Sequence, residues 1–277
     1  MKIEVHIEKI KETKLMSTEI ENINEKIQFL TKSGIRLHIL NILSKNPQNI
    51  KELVDTTQIT YSTLSSNLHK LEKEKYIQKI KNKFYLTQTT KIYLDIILEF
   101  KNVINLINQF DEFWDKHDIA QINLDSLKNI TSLHDSQLIK TTPLDIYKTH
   151  NTIKGQLLMS YNIKAIFPYL HPDYPVIIEQ VLQKGGNVEL IINDAIFESL
   201  MNNIETELRK NSIKNGCLKV HSLKDNLNLY LIISDKNTNL GLFKSDGSFD
   251  QNRLLTSESE QAIGWANNLF ENIKENW

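Results

Sequence analysis

Apolar residues between positions 33 and 90 recur with a spacing that predicts three helices followed by a β-hairpin. The first helix is apolar on most of its surface, as expected of a central buried helix, at Ile35, Leu37, Ile39, Leu40 and Leu43. The Asn-Pro pair at 46–47 should end it. Asn49 then precedes Glu52 by three residues, which is the spacing of a helix N-cap with its reciprocal carboxylate. A short second helix is therefore expected to end near Thr57.

The third helix is predicted to bury one stripe and to display small polar side chains on its other faces. The stripe consists of Leu64, Leu68 and Leu71. The displayed side chains are Tyr61, Ser62, Thr63, Ser66, Asn67 and Lys70. A helix that enters the DNA major groove, about 12 Å wide, needs a face of this kind. Two short strands, 76–81 and 84–87, are predicted to follow as a hairpin around Asn82 and Lys83.

This order of elements predicts a winged helix-turn-helix at residues 31–90 that binds double-stranded DNA. Ser62, Thr63, Ser66 and Asn67 are expected to face base edges, and Lys70, Lys81 and Lys83 to contact phosphates. Tyr61 could do either, or pack against the second helix. The alternative is a small helical domain with a solvated polar face.

The charge distribution agrees with a nucleic-acid partner for this region. Residues 60–91 contain seven lysines and two glutamates, although the whole chain has a net charge of −1. Residues 1–100 hold 16 Lys and Arg against 12 Asp and Glu, whereas the remainder holds 17 against 22. Basic charge is thus concentrated where phosphate contact would need it.

The segments on either side of the 31–90 region are predicted to be an N-terminal extension and a long helix. In the extension, 1–30, a strand is expected at 2–9, and Thr18 with Glu21 should cap a helix that reaches Leu30. The segment 89–116 is expected to be nearly continuous helix, and it is too apolar for one buried stripe. Residues 91–119 are therefore interpreted either as a connector buried in the monomer or, preferably, as the interface helix of a homodimer. A dimer would present two half-sites to DNA.

From about residue 120 the pattern changes to alternating short strands and helices. Strands are predicted at 137–141, 163–169, 188–192, 217–222, 227–234 and 239–244. Helices are predicted from the Thr142-Pro143 pair, at 176–183, at 194–210, and from a cap at Ser257 and Glu260 to the last residue. The fold class is therefore α+β: a winged helix followed by an α/β regulatory domain at 120–277 with a parallel or mixed sheet.

The ends of these predicted strands indicate a site for a small effector. Ligands of open α/β sheets bind beyond the carboxyl ends of the strands. Thr142 and Asp145 follow one strand, His171 follows a second, and Asp194 follows a third. The four residues are predicted to bind a small-molecule effector.

Known catalytic patterns are not found in the sequence, and no enzyme activity is predicted. The eight histidines include none two residues before a lysine, and zinc-protease, nucleophile-elbow and phosphate-loop motifs are missing. His117-Asp118, His134-Asp135 and the pair of His171 and Asp173 could supply metal ligands, but they suit turns and caps equally well. No metal site and no cofactor are predicted. Cys217 is the only cysteine, and Arg253 is expected to form an ion pair.

Several motifs resemble known families. Leu68, Leu71, Glu72 and Ile77 fit a pattern found in ArsR- and MarR-like winged helices, although Tyr76 replaces their usual glycine before the wing. Other segments resemble one group of archaeal regulators, in which a winged helix precedes a methanogenesis regulatory protein-type domain. These segments are 110–119, 142–146, 171–175, 240–247, 250–253 and 262–270. The piece 185–193 is similar to a strand of phospholipase D-like domains. The resemblance implies a transcription regulator with a sensor-like domain.

The N-terminus is charged, and no stretch approaches the ~20 apolar residues of a membrane span. A cytoplasmic, homodimeric, DNA-binding regulator with no membrane partner is therefore expected. The alternative function is a winged helix that binds protein rather than DNA.

Overall fold

The computed structural model describes residues 24–224 and 227–276 and combines helices with β-strands, in agreement with the predicted α+β class. The chain divides into two compact units, with the boundary between Lys101 and Asn102. The predicted strand at 2–9 and the predicted cap at Thr18 lie outside the described residues. Within the described ranges, no helix is long and apolar enough to span a membrane.

The first unit consists of helices and one hairpin. Residues 24–31 are helical. The elements that follow are α1 (Gly34–Lys45), α2 (Ile50–Thr57), α3 (Tyr61–Lys73), β1 (Ile77–Ile80), β2 (Lys83–Leu86) and α4 (Gln88–Gln109), whose residues after Lys101 belong to the second unit. The strands β1 and β2 pair antiparallel.

Side-chain caps fix where the helices of this unit begin. The Asn49 side chain accepts a hydrogen bond from the Glu52 N–H at 3.0 Å, and the Glu52 carboxylate accepts one from the Asn49 N–H at 2.8 Å. This confirms the predicted capping box. The leucine stripe of α3 is also confirmed, because Leu64, Leu68 and Leu71 are all buried in the core of the unit.

The prediction of nearly continuous helix over 89–116 is confirmed, with one break at Phe110. The helix α4 ends at Gln109, and Phe110 leaves the helical conformation with φ −124° and ψ 37° before a short helix, α5 (Asp111–Trp114). Phe110, Phe113 and Trp114 are all buried in the core of the second unit. Burial of three aromatic side chains there outweighs the local preference for continued helix.

The second unit is built on an eight-stranded mixed sheet. The strands are β3 (His117–Asp118), β4 (Gln137–Lys140), β5 (Asn162–Phe167), β6 (Asn187–Asn193), β7 (Leu218–Leu223), β8 (Leu229–Ser234), β9 (Thr238–Lys244) and β10 (Arg253–Ser257). Their order is β4-β10-β9-β8-β5-β6-β7, with β3 paired to β9. The pairs β5–β6 and β6–β7 are parallel, and the others are antiparallel. It follows that β4, β5 and β6 point the same way and that their carboxyl ends share one edge of the sheet.

Helices cover the sheet on both faces. They are α6 (Leu124–Lys128), a 3₁₀ turn (Ile130–Leu133), α7 (Lys148–Leu158), α8 (Asp173–Gln183), α9 (Asp194–Asn202), α10 (Thr206–Lys214) and α11 (Glu260–Asn276). Residues of β8 alternate between two cores: Leu229, Leu231 and Ile233 face one, and Tyr230 and Ile232 face the other. All are buried because the sheet is covered on both sides.

The helix expected from Thr142 and Pro143 was wrong. Thr142 and Asp145 instead exchange two backbone hydrogen bonds, of 3.1 and 3.0 Å, and form a tight bridge. The Thr142 hydroxyl also accepts a hydrogen bond from the Asp145 N–H at 3.2 Å. These local bonds compete with helical ones, so α7 does not begin until Lys148.

Three further boundaries differ from the sequence prediction. The helix expected at 194–210 is two helices, because the Glu205 carboxylate caps a new one by accepting from the N–H groups of Glu207 and Leu208. The strand β10 was not predicted. The predicted Ser257 cap is two residues too early, since it is Ser259 whose hydroxyl accepts from the Ala262 N–H at 3.2 Å.

Candidate functional site

The helix α3 displays a polar face to solvent above its buried leucines. Tyr61 is 62% exposed, Ser62, Ser66 and Lys70 are exposed, and Thr63 and Asn67 are half-buried. Thr60 caps the helix by accepting from the Thr63 N–H. These positions follow from the leucine periodicity, because residues next to a buried stripe on a helix must face outward.

Two of the polar side chains on α3 are oriented by local hydrogen bonds. The Thr60 hydroxyl donates to the Thr63 hydroxyl at 2.9 Å. The Asn67 amide donates to the Thr63 carbonyl at 2.8 Å, so this side chain lies along the helix. A base that bonds the Asn67 amide would have to compete with that internal contact.

The hairpin carries exposed lysines at its turn. Lys81 and Lys83 are exposed, and Lys81 has a left-handed φ of 56°. The Lys83 ammonium is 3.8 Å from the Glu52 carboxylate, and the Lys79 ammonium lies over the Phe84 ring at 5.5 Å. The ion pair of Lys83 is solvent-exposed and therefore weak, which leaves the ammonium available to another anion.

The turn between α3 and β1 does not use the glycine found in the resembled families. Lys75 takes the left-handed conformation, with φ 61°, and the Tyr76 N–H donates to the Leu71 carbonyl at 2.9 Å. The Tyr76 side chain is buried and stacks on Phe29 at 5.2 Å. Tyr76 thus adds an aromatic ring to the core of the first unit.

A cavity of about 270 Å³ opens at the sheet edge where β5 ends. Its lining includes the aromatic residues Tyr147, Tyr169, Tyr174 and Phe249. The Tyr169 and Phe249 ring centroids are 5.0 Å apart. The Tyr174 and Tyr230 hydroxyls are hydrogen-bonded at 2.5 Å, and burial raises the pKa of both phenols well above its usual value. Both phenols therefore stay neutral, and Tyr174 is the member of the pair that lines the cavity.

Two histidines on the cavity wall meet one carboxylate. His150 and His171 line the cavity and their rings stack at 3.8 Å. Asp173 Oδ2 accepts from Lys154 Nζ at 2.8 Å and lies 3.1 Å from His150 Nε2. These hydrogen bonds, from Lys154 first and His150 second, lower the pKa of Asp173. Burial and the neighbouring His150 lower the pKa of His171.

A second polar network lies at the same edge and includes Arg253. Asp250, which is buried, accepts from Arg253 Nη1 at 2.9 Å and lies 3.0 Å from His117 Nε2. Burial alone would raise the pKa of Asp250, but hydrogen bonds from the Asn252 N–H, Arg253 and His117 together lower it. The predicted ion pair of Arg253 is confirmed, and the His117 ring is hydrogen-bonded to the same carboxylate.

The predicted effector residues occupy different positions at this edge. His171 lines the cavity. Thr142 and Asp145 lie in the exposed bridge after β4, and Asp194 is exposed at the start of α9; none of these three is among the lining residues. Sequence reasoning missed His150. The signal that could have found it is its spacing of four residues from Lys154, which puts both on one face of α7.

Two family models match the chain. Residues 146–276 match the middle domain of the methanogenesis regulatory protein FilR1, and residues 24–109 match the HVO_A0261 N-terminal domain. A curated relative, the methanogenesis regulatory protein FilR1 of Methanothrix harundinacea (strain 6Ac), is 23% identical over 250 residues. That alignment covers 89% of this chain and 56% of the relative, so the chain spans about half the relative's length.

Among solved structures, that of the archaeal chromatin protein TrmBL2, which shows a novel mode of DNA binding, aligns over 92% of this chain and 98% of its own. The identity is 11% and the TM-score 0.40. Phosphatidylserine synthase of Haemophilus influenzae Rd KW20 aligns over 50% of this chain and 37% of its own, with 17% identity and a TM-score of 0.37. The family-model and relative matches together support a regulator family for this chain.

Proposed function

We propose that the protein is a sequence-specific transcription regulator whose first unit binds DNA as an ArsR-like winged helix-turn-helix. In this assignment α3 is the recognition helix and the β1–β2 hairpin is the wing. The observation that carries the proposal is the exposed polar face of α3 above three buried leucines. The name of the curated relative, a regulatory protein, supports a regulatory role rather than a catalytic one.

The assignment of contacts follows from side-chain chemistry. Ser62, Thr63 and Ser66 offer hydroxyl groups, which can donate to or accept from base edges. Lys70, Lys81 and Lys83 carry the charges that phosphates attract. Asn67 is assigned to a base edge as well, and Tyr61 to either a base or a phosphate.

A homodimer is part of the proposal, and α4 supplies the evidence for it. Ile92, Ile96 and Phe100, spaced by four residues, are 59%, 63% and 63% exposed. Such a stripe is costly in water and is typical of a helix that packs on another copy. A dimer would align two recognition helices with half-sites about one DNA turn apart.

We assign the effector site to the cavity edge of the sheet, with His171 on the cavity wall. The same edge holds Thr142 and Asp145, in the loop after β4, and Asp194, the first residue of α9. These side chains could contact a ligand larger than the cavity. A bound effector would alter DNA affinity through a coupling of ~1–3 kcal/mol. A cytoplasmic location fits a DNA partner.

The test is fluorescence anisotropy of labelled DNA from upstream of the gene, across a salt series, with scrambled DNA as competitor. Binding that prefers one site and weakens steeply with salt would support the proposal, since each neutralised phosphate adds about 0.9 to the log–log slope. A folded protein that binds no DNA at low salt, alone or with candidate effectors, would contradict it. The alternative, a winged helix that binds protein, predicts a partner contact with little salt dependence.

A further inference from the structure

Three side chains with metal-binding atoms converge beside the cavity. They are His150 on α7, His171 in the loop after β5, and Asp173 at the start of α8. One ligand atom from each lies within 4.8 Å of the other two, and all three residues are half-buried. Within residues 24–224 and 227–276, no other set of three or more His, Cys, Asp or Glu side chains brings its ligand atoms this close together.

We propose that this triad binds a divalent transition-metal ion, with Zn²⁺ and Co²⁺ as its test ions. Zinc bonds of about 2.0–2.1 Å in tetrahedral geometry place two ligand atoms about 3.3 Å apart. The 3.1 Å between His150 Nε2 and Asp173 Oδ2 already fits this separation. The two histidine rings are stacked at an angle of 26°, so each must rotate to aim its lone pair at one ion.

The donor set selects the class of ion. Two imidazoles and one carboxylate suit Zn²⁺, Co²⁺ or Ni²⁺, whereas Ca²⁺ and Mg²⁺ prefer oxygen ligands alone. Three protein ligands leave a coordination position open. Because His150 and His171 line the cavity, that position would face the cavity, where a water or a small anion could occupy it.

A bound ion would displace the proton of the His150–Asp173 hydrogen bond, and two further contacts compete with it. Lys154 Nζ lies 2.8 Å from Asp173 Oδ2, and the Asp173 N–H donates to His171 Nδ1 at 3.1 Å. Lys154 is 44% exposed, so its ammonium can move into solvent when an ion arrives. This competition gives the proposal a consequence with a definite sign: removal of the Lys154 charge should tighten metal binding.

The chain contains a matched control for the triad. His134 Nε2 and Asp135 Oδ2 are also 3.1 Å apart, but both side chains are about 60% exposed, and the pair does not belong to a three-residue group among the described residues. His134→Ala therefore removes a histidine whose distance to a carboxylate equals that of His150, and it should leave the metal affinity unchanged. Cys217→Ser removes the sole thiol as a competing ligand.

The experiment is titration of the tag-free full chain with Co²⁺, followed by visible absorption, and with Zn²⁺ by calorimetry. One ion per chain is expected, with cobalt d–d bands that Zn²⁺ abolishes. His150→Gln, His171→Ala and Asp173→Asn should each weaken metal binding by more than about 100-fold. Loss of a residue that only supports a ligand costs up to about 100-fold, and loss of a ligand itself should cost more. Circular dichroism of each variant checks that it is folded. The readout needs no DNA and stands whether or not the first unit binds it.

The variant Lys154→Gln shows whether the triad binds a cation or an anion. Tighter Zn²⁺ binding by this variant supports the proposal. Weaker binding would overturn it, because it would mean that Lys154 helps to hold the bound species. Absence of binding to the folded wild-type chain, or equal losses for His134→Ala and His171→Ala, would also overturn it.

Discussion

The two units place their polar side chains in opposite ways. In the first, the polar groups of α3 and the hairpin lie on the surface, above a core of aliphatic and aromatic residues. In the second, a buried carboxylate, Asp250, joins His117 and Arg253 at the sheet edge, and a tyrosine pair lies in the core. Surface polar groups can be changed with little effect on folding, whereas buried ones cannot. In the first unit, then, proposed function and stability are separable, and in the second they are linked.

The largest effect is expected from the leucine stripe of α3. Leu64 is fully buried, so Leu64→Ala should destabilise the first unit by roughly 3–5 kcal/mol through lost burial and a cavity. Trp114 and Trp265 are buried in the second unit, and the sequence has no tryptophan in residues 1–101. In urea unfolding monitored by circular dichroism, the first unit of the variant should therefore unfold at a lower urea concentration than in wild type. The midpoint monitored by tryptophan fluorescence should stay near that of wild type. Ser65→Ala, on the exposed side of the same helix, is the control and should change stability by less than about 0.5 kcal/mol.

Removal of Asp250 should produce the next largest effect, in the other unit. Asp250→Ala leaves His117 and Arg253 without their carboxylate, which should cost about 3 kcal/mol; the partial exposure of Arg253 keeps the loss at the lower end for a broken buried pair. Tryptophan fluorescence should report the shift in the urea midpoint. Asp246→Ala, at an exposed turn, is the matched control. Equal midpoints for the two variants would show that the buried network adds no stability.

The same carboxylate gives the second unit an acid dependence. The pKa of Asp250 is lower in the folded chain than its ordinary value of 3.8. The contribution of Asp250 to the free energy of unfolding is therefore present above pH 3.8. It is lost as the pH falls through the lower, folded pKa. The stability difference between wild type and Asp250→Ala should accordingly shrink below about pH 4, where urea midpoints by tryptophan fluorescence would be compared.

A surface polar group of the first unit should matter least. Asn49→Ala removes one half of the capping box of α2 and should cost about 1 kcal/mol. Circular dichroism during urea unfolding measures it against wild type. A loss as large as that of Leu64→Ala would mean that the polar groups of the first unit are as important to its fold as its core.

The sequence predicted local features well in the first unit. In the second unit it missed several local turns and caps as well as the contacts between distant segments. The Asn49 cap and the α3 leucine stripe depend on residues within one or two helical turns, so spacing alone identified them. The bridge at Thr142 was missed because the same residues, Thr-Pro followed by Asp145, suit a helix N-terminus and a hydrogen-bonded turn equally well. The strand β10 is short, and its pairing with β4 and β9 makes it a strand.

The cavity shows the same division. His171 was predicted from its place after a strand, but His150 comes from α7, and Phe249 comes from a segment almost 80 residues further along the chain than His171. Only the sheet order brings these residues together. Thr142, Asp145 and Asp194 also follow strands that end at this edge, yet strand direction does not specify which loop side chains turn inward.

The proposal that the first unit binds DNA through the hairpin lysines is tested by the salt dependence of a double variant. Lys81→Gln with Lys83→Gln should weaken binding to every DNA sequence about equally and lower the log–log salt slope by about 2, or nearly one per lost phosphate contact. Lys210→Gln with Lys214→Gln, two exposed lysines of α10, changes the net charge equally and should leave the slope unchanged. If the hairpin variant kept the wild-type slope, or lost affinity for only one sequence, the assignment of the hairpin as a phosphate-binding wing would be wrong.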